Sequence, residues 1–127
     1  MRLTLALLAL WASNAPAHAL AELERAEPRV GRTVTTAPRE VTLEFSDDLV
    51  ADGTSGEVRD ASGERVDAGR LQIDPAEPRR ARIPLKRIGP GEYVVRWWAK
   101  TDDGDETQGR FRFVVSRQGR SALHPAP

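Results

Sequence analysis

The chain has 127 residues, room for one domain, and its 19 Lys+Arg balance 19 Asp+Glu at a formal net charge of +0. It therefore lacks the cationic surplus that a non-specific nucleic-acid binder needs to displace counterions, and no nucleic-acid partner is expected. With no cysteine and only two histidines, His18 and His124, the composition excludes disulfide scaffolds, thiolate zinc sites, iron–sulfur clusters, a cysteine nucleophile and multi-histidine metal centres.

Residues 1–21 read as a secretory signal peptide. Met1-Arg2 is a short positive start, Leu3 to Ala12 is a ten-residue apolar run, and a small polar stretch follows. The run is too short to cross a bilayer as a helix, which needs roughly 20 residues. Two A-x-A cleavage sites overlap, Ala17-His18-Ala19 and Ala19-Leu20-Ala21, so the mature chain begins at Leu20 or at Glu22. No lipobox cysteine is present, which rules out a lipid anchor there. The product is expected to be exported, and in a two-membrane bacterium to reside in the periplasm.

The rest of the chain reads as short strands. Glu40 to Ser46 alternates strictly, with Val41, Leu43 and Phe45 on one face. Gly56 to Asp60 followed by Ala61-Ser62-Gly63-Glu64 reads as a strand and its turn. In Arg82 to Leu85, Ile83 and Leu85 are expected to be buried, and Pro84 suggests a sheet edge. Ile88-Gly89-Pro90-Gly91 is a turn signal. Glu92 to Lys100 is the longest predicted strand, with Tyr93, Val95, Trp97 and Ala99 inward and Trp98 on the opposite, partly exposed side. Gly109 to Val115 closes the series with Phe111, Phe113 and Val115 inward. No stretch carries sustained helical periodicity, and strands at this spacing argue an antiparallel β-sandwich of about seven strands. Ser116 to Pro127 has no periodicity and is expected to be a disordered tail.

Several landmarks occur in one order: Ala26-Glu27-Pro28-Arg29-Val30-Gly31, then Ala37 to Ser46, Val58-Arg59-Asp60-Ala61-Ser62-Gly63, Pro90 to Trp97, Asp103-Gly104-Asp105 and Gly109 to Val115. Over roughly Glu22 to Val115 the chain resembles the CopC family of periplasmic copper-resistance proteins. The resemblance implies an all-β, immunoglobulin-like Greek-key sandwich, in agreement with the strand pattern. It also implies copper ion as the bound species, held in the family by the terminal amine, an N-terminal histidine and an Asp-Gly-His turn.

Carried over residue by residue, Glu22 stands where the N-terminal histidine would be, Asp103 matches the turn aspartate, and Asp105 replaces the turn histidine. Both imidazoles are thus replaced by carboxylates. The family's methionine-rich Cu(I) site has no counterpart, because the only methionine is Met1. Imidazole suits Cu(II), whereas carboxylate suits harder ions. The terminal amine with Glu22, Asp103 and Asp105 would form a weakened or altered divalent-metal site. Read without a metal, the same residues are solvated loop acids, and His124 folding back is a further candidate ligand.

Asp102 to Glu106 lacks the ligand spacing of an EF-hand and reads as an acidic hairpin turn. Asp47-Asp48 and Asp52 read as acids in the turn after a strand. Arg79, Arg80, Arg82, Lys86 and Arg87 read either as a solvated edge strand that resists edge pairing or as an anion or partner site. A Ser-His-Asp or Cys-His catalytic arrangement needs residues that the mature chain lacks outside its tail, so no enzyme is expected. Two functions are left: copper handling of the CopC type, with a copper-transport membrane protein as candidate partner, and an exported immunoglobulin-like interaction module that has lost metal binding. The protein is expected to be a monomer.

Overall fold

The computed structural model describes residues 21–117. The expected signal peptide up to residue 20, and His124 with most of the expected tail, lie outside the described residues. Eight strands occur among those described: β1 (Leu23–Glu27), β2 (Thr33–Val34), β3 (Glu40–Phe45), β4 (Ser55–Asp60), β5 (Gln72–Ile73), β6 (Arg80–Pro84), β7 (Gly91–Lys100) and β8 (Glu106–Val115). They form two four-stranded sheets, ordered β1-β3-β6-β5 and β2-β8-β7-β4. The first order is the A-B-E-D sheet of an immunoglobulin constant-type sandwich. The β8-β7-β4 run is its G-F-C sheet, with β2 added in parallel at the β8 edge.

Alternation explains the core. Val41, Leu43 and Phe45 on β3 are all but inaccessible, as are Ala81 and Ile83 on β6. From the other sheet, Val58 on β4, the inward residues Tyr93, Val95, Trp97 and Ala99 of β7, and Phe111, Phe113 and Val115 of β8 meet them. Antibody domains tie strands B and F with a disulfide. Here Phe45 on β3 and Trp97 on β7 meet edge to face at 5.0 Å and 76°. The pair needs Gly109 beside it, since a Cβ there would lie 2.6 Å from Trp97 Cζ2. Tyr93, at the start of β7, stacks on Phe113 and donates its hydroxyl to the Gly89 carbonyl at 2.7 Å. That is the tyrosine corner of this fold class, and it anchors the Gly89-Pro90-Gly91 turn.

Three features differ from the sequence expectation. First, β6 is not an edge strand: it lies between β3 and β5, and Pro84 sits at its last position, opposite Glu40. The missing N–H of Pro84 is tolerated there because the ladder ends, while its carbonyl still accepts from Ala68 at 2.7 Å. Two arginines of that segment, Arg79 and Arg80, are paired rather than freely solvated. Arg80 binds Glu44 at 2.9 Å with Asp74 and Glu77 nearby, and Arg79 reaches Asp48 at 3.7 Å. Second, β8 begins three residues earlier than Gly109, because its polar start zips onto the polar end of β7 through Lys100↔Glu106. Third, Ser116 is not yet tail: its N–H donates to the Val34 carbonyl at 2.9 Å and extends the β2–β8 contact.

Candidate metal centre

The residues matched to the metal site lie at one end of the sandwich. The β7–β8 hairpin turns there through Thr101 to Asp105. Thr101 donates its N–H to the Asp105 carbonyl at 3.0 Å, and Gly104 donates to the Thr101 carbonyl at 2.9 Å. Gly104 has φ 91°, a backbone conformation that glycine alone adopts without strain, so the glycine between Asp103 and Asp105 follows from the turn. The acidic hairpin turn expected for Asp102 to Glu106 is what forms. Asp103 is exposed and Asp105 is partly buried. Thr101 itself is 1% exposed, opposite Leu49, and its hydroxyl is buried without a hydrogen-bond partner.

Glu22 arrives from the other direction, just before β1, and is exposed. Its backbone N–H donates to Ser46 Oγ at 2.9 Å, and Ser46 returns its own N–H to the Glu22 carbonyl at 3.0 Å. Ser46 opens the strap that leads from β3 toward β4. Two residues further on, the Asp48 carbonyl accepts the Asp102 N–H at 3.1 Å, and Val50 donates to the Lys100 carbonyl at 2.9 Å. One strap, Ser46 to Val50, is therefore hydrogen-bonded to residue 22 at one end and to the hairpin turn at the other. Asp47 and Asp48, expected as turn acids, lie on this strap, and Asp52 is exposed beyond it. The tethering role of Ser46 was not legible in the sequence, where a serine closing a strand carries no mark of the residue it will bind.

The side chains do not form a ready-made metal cage. Among the described residues there is no group of three or more His, Cys, Asp or Glu side chains placed to hold a metal ion. The donors matched to the site, Glu22, Asp103 and Asp105, are all carboxylates, and both histidines of the chain fall outside the described residues.

Elsewhere, carboxylates are held firmly by arginines. Glu57 on the outer face of β4 is 8% exposed and accepts two hydrogen bonds from Arg59, at 2.9 and 3.2 Å, with Arg65 at 3.7 Å. The Arg59 hydrogen bond holds its carboxyl below the ordinary glutamate range against the opposing effect of burial, helped by the charges of Arg59, Arg65 and Arg96. Burial pushes Asp67 up, but hydrogen bonds from Arg65 and the Val58 N–H outweigh it and leave Asp67 below the ordinary range.

The CopC domain model matches residues 23–116. Protein YobA of Escherichia coli strain K12 is 26% identical over 116 residues, spanning 91% of this chain and 94% of that protein. Among solved structures, CopC from Methylosinus trichosporium OB3b superposes with a TM-score of 0.73 at 23% identity, covering 79% of this chain and 97% of its own. PcoC, described as a methionine-rich copper resistance protein from Escherichia coli, superposes at 0.68 and 25% identity, covering 77% and 100%.

Proposed function

This chain belongs to the CopC domain family, and on that premise we propose that it is an exported, periplasmic copper-resistance protein that handles copper through a weakened site at its residue-22 end. The observation that carries this reading is the strap from Ser46 to Val50, which binds the backbone of residue 22 and of the Thr101–Asp105 turn at once. Those are the two segments that the family resemblance assigns to copper. This supports reading the end as a scaffold for a shared site, whose donors would be oxygen rather than imidazole nitrogen.

The role of these residues is binding, not catalysis. The terminal amine of a chain beginning at residue 22, with Glu22, Asp103 and Asp105, would hold a divalent ion weakly. Carboxylate is a poorer match than imidazole for Cu(II), and the described donors are not gathered in advance.

The test is isothermal titration with Cu(II) of protein beginning at residue 22, comparing wild type with E22H/D105H. The double change supplies two imidazoles beside the amine and Asp103. Affinity should rise by orders of magnitude, more than the two single changes together, because ligands on one ion couple. Binding by the variant should weaken as pH falls through the imidazole range, since protons compete for the nitrogens. Equal weak affinity in the two proteins would overturn the shared-site geometry. Tight binding by the wild type would overturn the weakened site. No binding by either would favour an immunoglobulin-like interaction module.

A further inference from the structure

The outer face of the β4-β7-β8 sheet carries a charge arrangement that folding does not call for. Register places Arg96 on β7 directly opposite Arg110 on β8. Like charges opposite one another across a ladder are destabilising. The acid opposite Arg96 in register, Glu57 on β4, is hydrogen-bonded by Arg59 and also faces Arg65, so Arg96 shares one carboxylate with two other arginines. Arg112 is used by Glu92 at 3.0 Å. Arg110 is exposed, with no hydrogen bond or ion pair among the described residues, and Arg96 is exposed with its guanidinium carbon 5.5 Å from the centre of the Trp98 ring.

The two arginines border a shallow cup of about 260 Å³ whose other corners are Trp98 and Gln108. Trp97 and Gly109, between the corners, turn inward and leave their backbone as the floor. The cup offers two adjacent guanidiniums, an amide and an aromatic face. We propose that it is a docking site for a partner protein that presents an acidic segment, whose carboxylates are gripped by Arg96 and Arg110 while its stem rests on Trp98. Charge complementarity supports this occupant: the face holds Arg59, Arg65, Arg96, Lys100, Arg110 and Arg112 against Glu57, Asp67, Glu92 and Glu106, a surplus of two cations. A uniformly anionic bilayer fits less well, because the acids interspersed on the face would be repelled and one half-buried tryptophan has little to insert. The inference is independent of the metal reading.

Arg110→Thr separates the cost of the arrangement from its use. In low salt this variant should melt about 1–4 °C higher than wild type, because the like-charge pair is gone. The gain should vanish in 0.5 M salt, a condition whose Debye length is roughly 4 Å. Titration of the isotope-labelled protein with a hexaglutamate peptide should shift the signals of Arg96, Trp98, Gln108 and Arg110 together, and the variant should bind roughly tenfold more weakly, as expected for a lost charged hydrogen bond. Shifts spread evenly over the exposed arginines, no binding, or binding unaffected by Arg110→Thr would overturn the proposal. So would capture by phosphatidylglycerol vesicles at the same residues without response to the peptide.

Discussion

The inner face of the sandwich and its residue-22 end are built on different terms. Inside, some fifteen apolar side chains form one cluster, and most are placed by strand alternation and by several neighbours at once. At the end, position is set by a handful of hydrogen bonds, chiefly Glu22 with Ser46, Asp102 with Asp48, and the internal bonds of the Thr101–Asp105 turn. Acids at that end are exposed, as Glu22, Asp102 and Asp103 are, or only partly buried, as Asp47, Asp48 and Asp105 are. On the proposed function, the contrast would let a family fold persist while its ligand positions change type. Glu22 is exposed and Asp105 only partly buried, neither belongs to the apolar cluster, and the strap binds the backbone, which every residue but proline supplies equally.

The sharpest way to break this comparison is to strike the core itself. Trp97→Ala removes the ring that meets Phe45 and covers Gly109. The lost burial and the cavity left behind should cost about 3–5 kcal/mol, read as a fall in the urea midpoint with an unchanged slope. A loss below about 1 kcal/mol would show that the aromatic link between the sheets is dispensable, and the core would then be no more cooperative than the loops.

The same difference decides what could be read in the sequence. The faces of β3, β7 and β8 were legible because six to ten residues alternate without interruption, and the inward sets Val41/Leu43/Phe45, Tyr93/Val95/Trp97/Ala99 and Phe111/Phe113/Val115 are those found buried. The strands β2 and β5 were not, since two residues carry no period. Nor was β1: it is Leu-Glu-Arg-Ala-Glu, with a register shift between Leu23 and Arg25 that breaks its alternation. The interior place of β6 was hidden by Pro84, which marks an edge only when it falls inside a ladder rather than at its end. At the residue-22 end, residue types could be matched to the family one by one, but the strap that binds both segments is a matter of backbone pairing at a sequence distance of 24 residues and more.

Between these extremes lies the outer face, where charge supplies what apolar contact does not. Glu57 is nearly buried under Arg59 and Arg65, and its carboxyl is held below the ordinary glutamate range. The unfolded chain therefore takes up this proton at a higher pH than the folded one. The stabilisation is complete above the ordinary range, roughly pH 4, and is lost as pH falls through the lower folded value. Glu57→Gln should cost about 1–2 kcal/mol at pH 7, where the variant leaves the arginines without their charged acceptor. The gap between wild type and variant should narrow in acid, as followed by urea unfolding at stepped pH. A gap that stays constant would place the effect in packing rather than in the ion pair.

The smallest expected change in stability tests the other half of the comparison. Ser46→Ala deletes the hydroxyl that accepts the Glu22 N–H but leaves the Ser46 N–H to Glu22 carbonyl bond in place. The pair is solvent-exposed, so water can replace the lost acceptor, and the cost should be about 0.5 kcal/mol or less. Its consequence for binding should be larger in proportion. In protein beginning at residue 22 and carrying E22H/D105H, the first residue supplies both its amine and its imidazole to the metal. The serine hydroxyl then fixes where that amine lies relative to the turn. Adding Ser46→Ala to this background should lower Cu(II) affinity by roughly tenfold, as expected when a positioning partner of a metal ligand is removed. Titration calorimetry beside thermal unfolding reads the two effects on one protein. Loss of affinity with stability held would mean that the end of the sandwich is organised for binding and not for folding. Equal affinity with and without the hydroxyl would mean that the strap merely joins two strands.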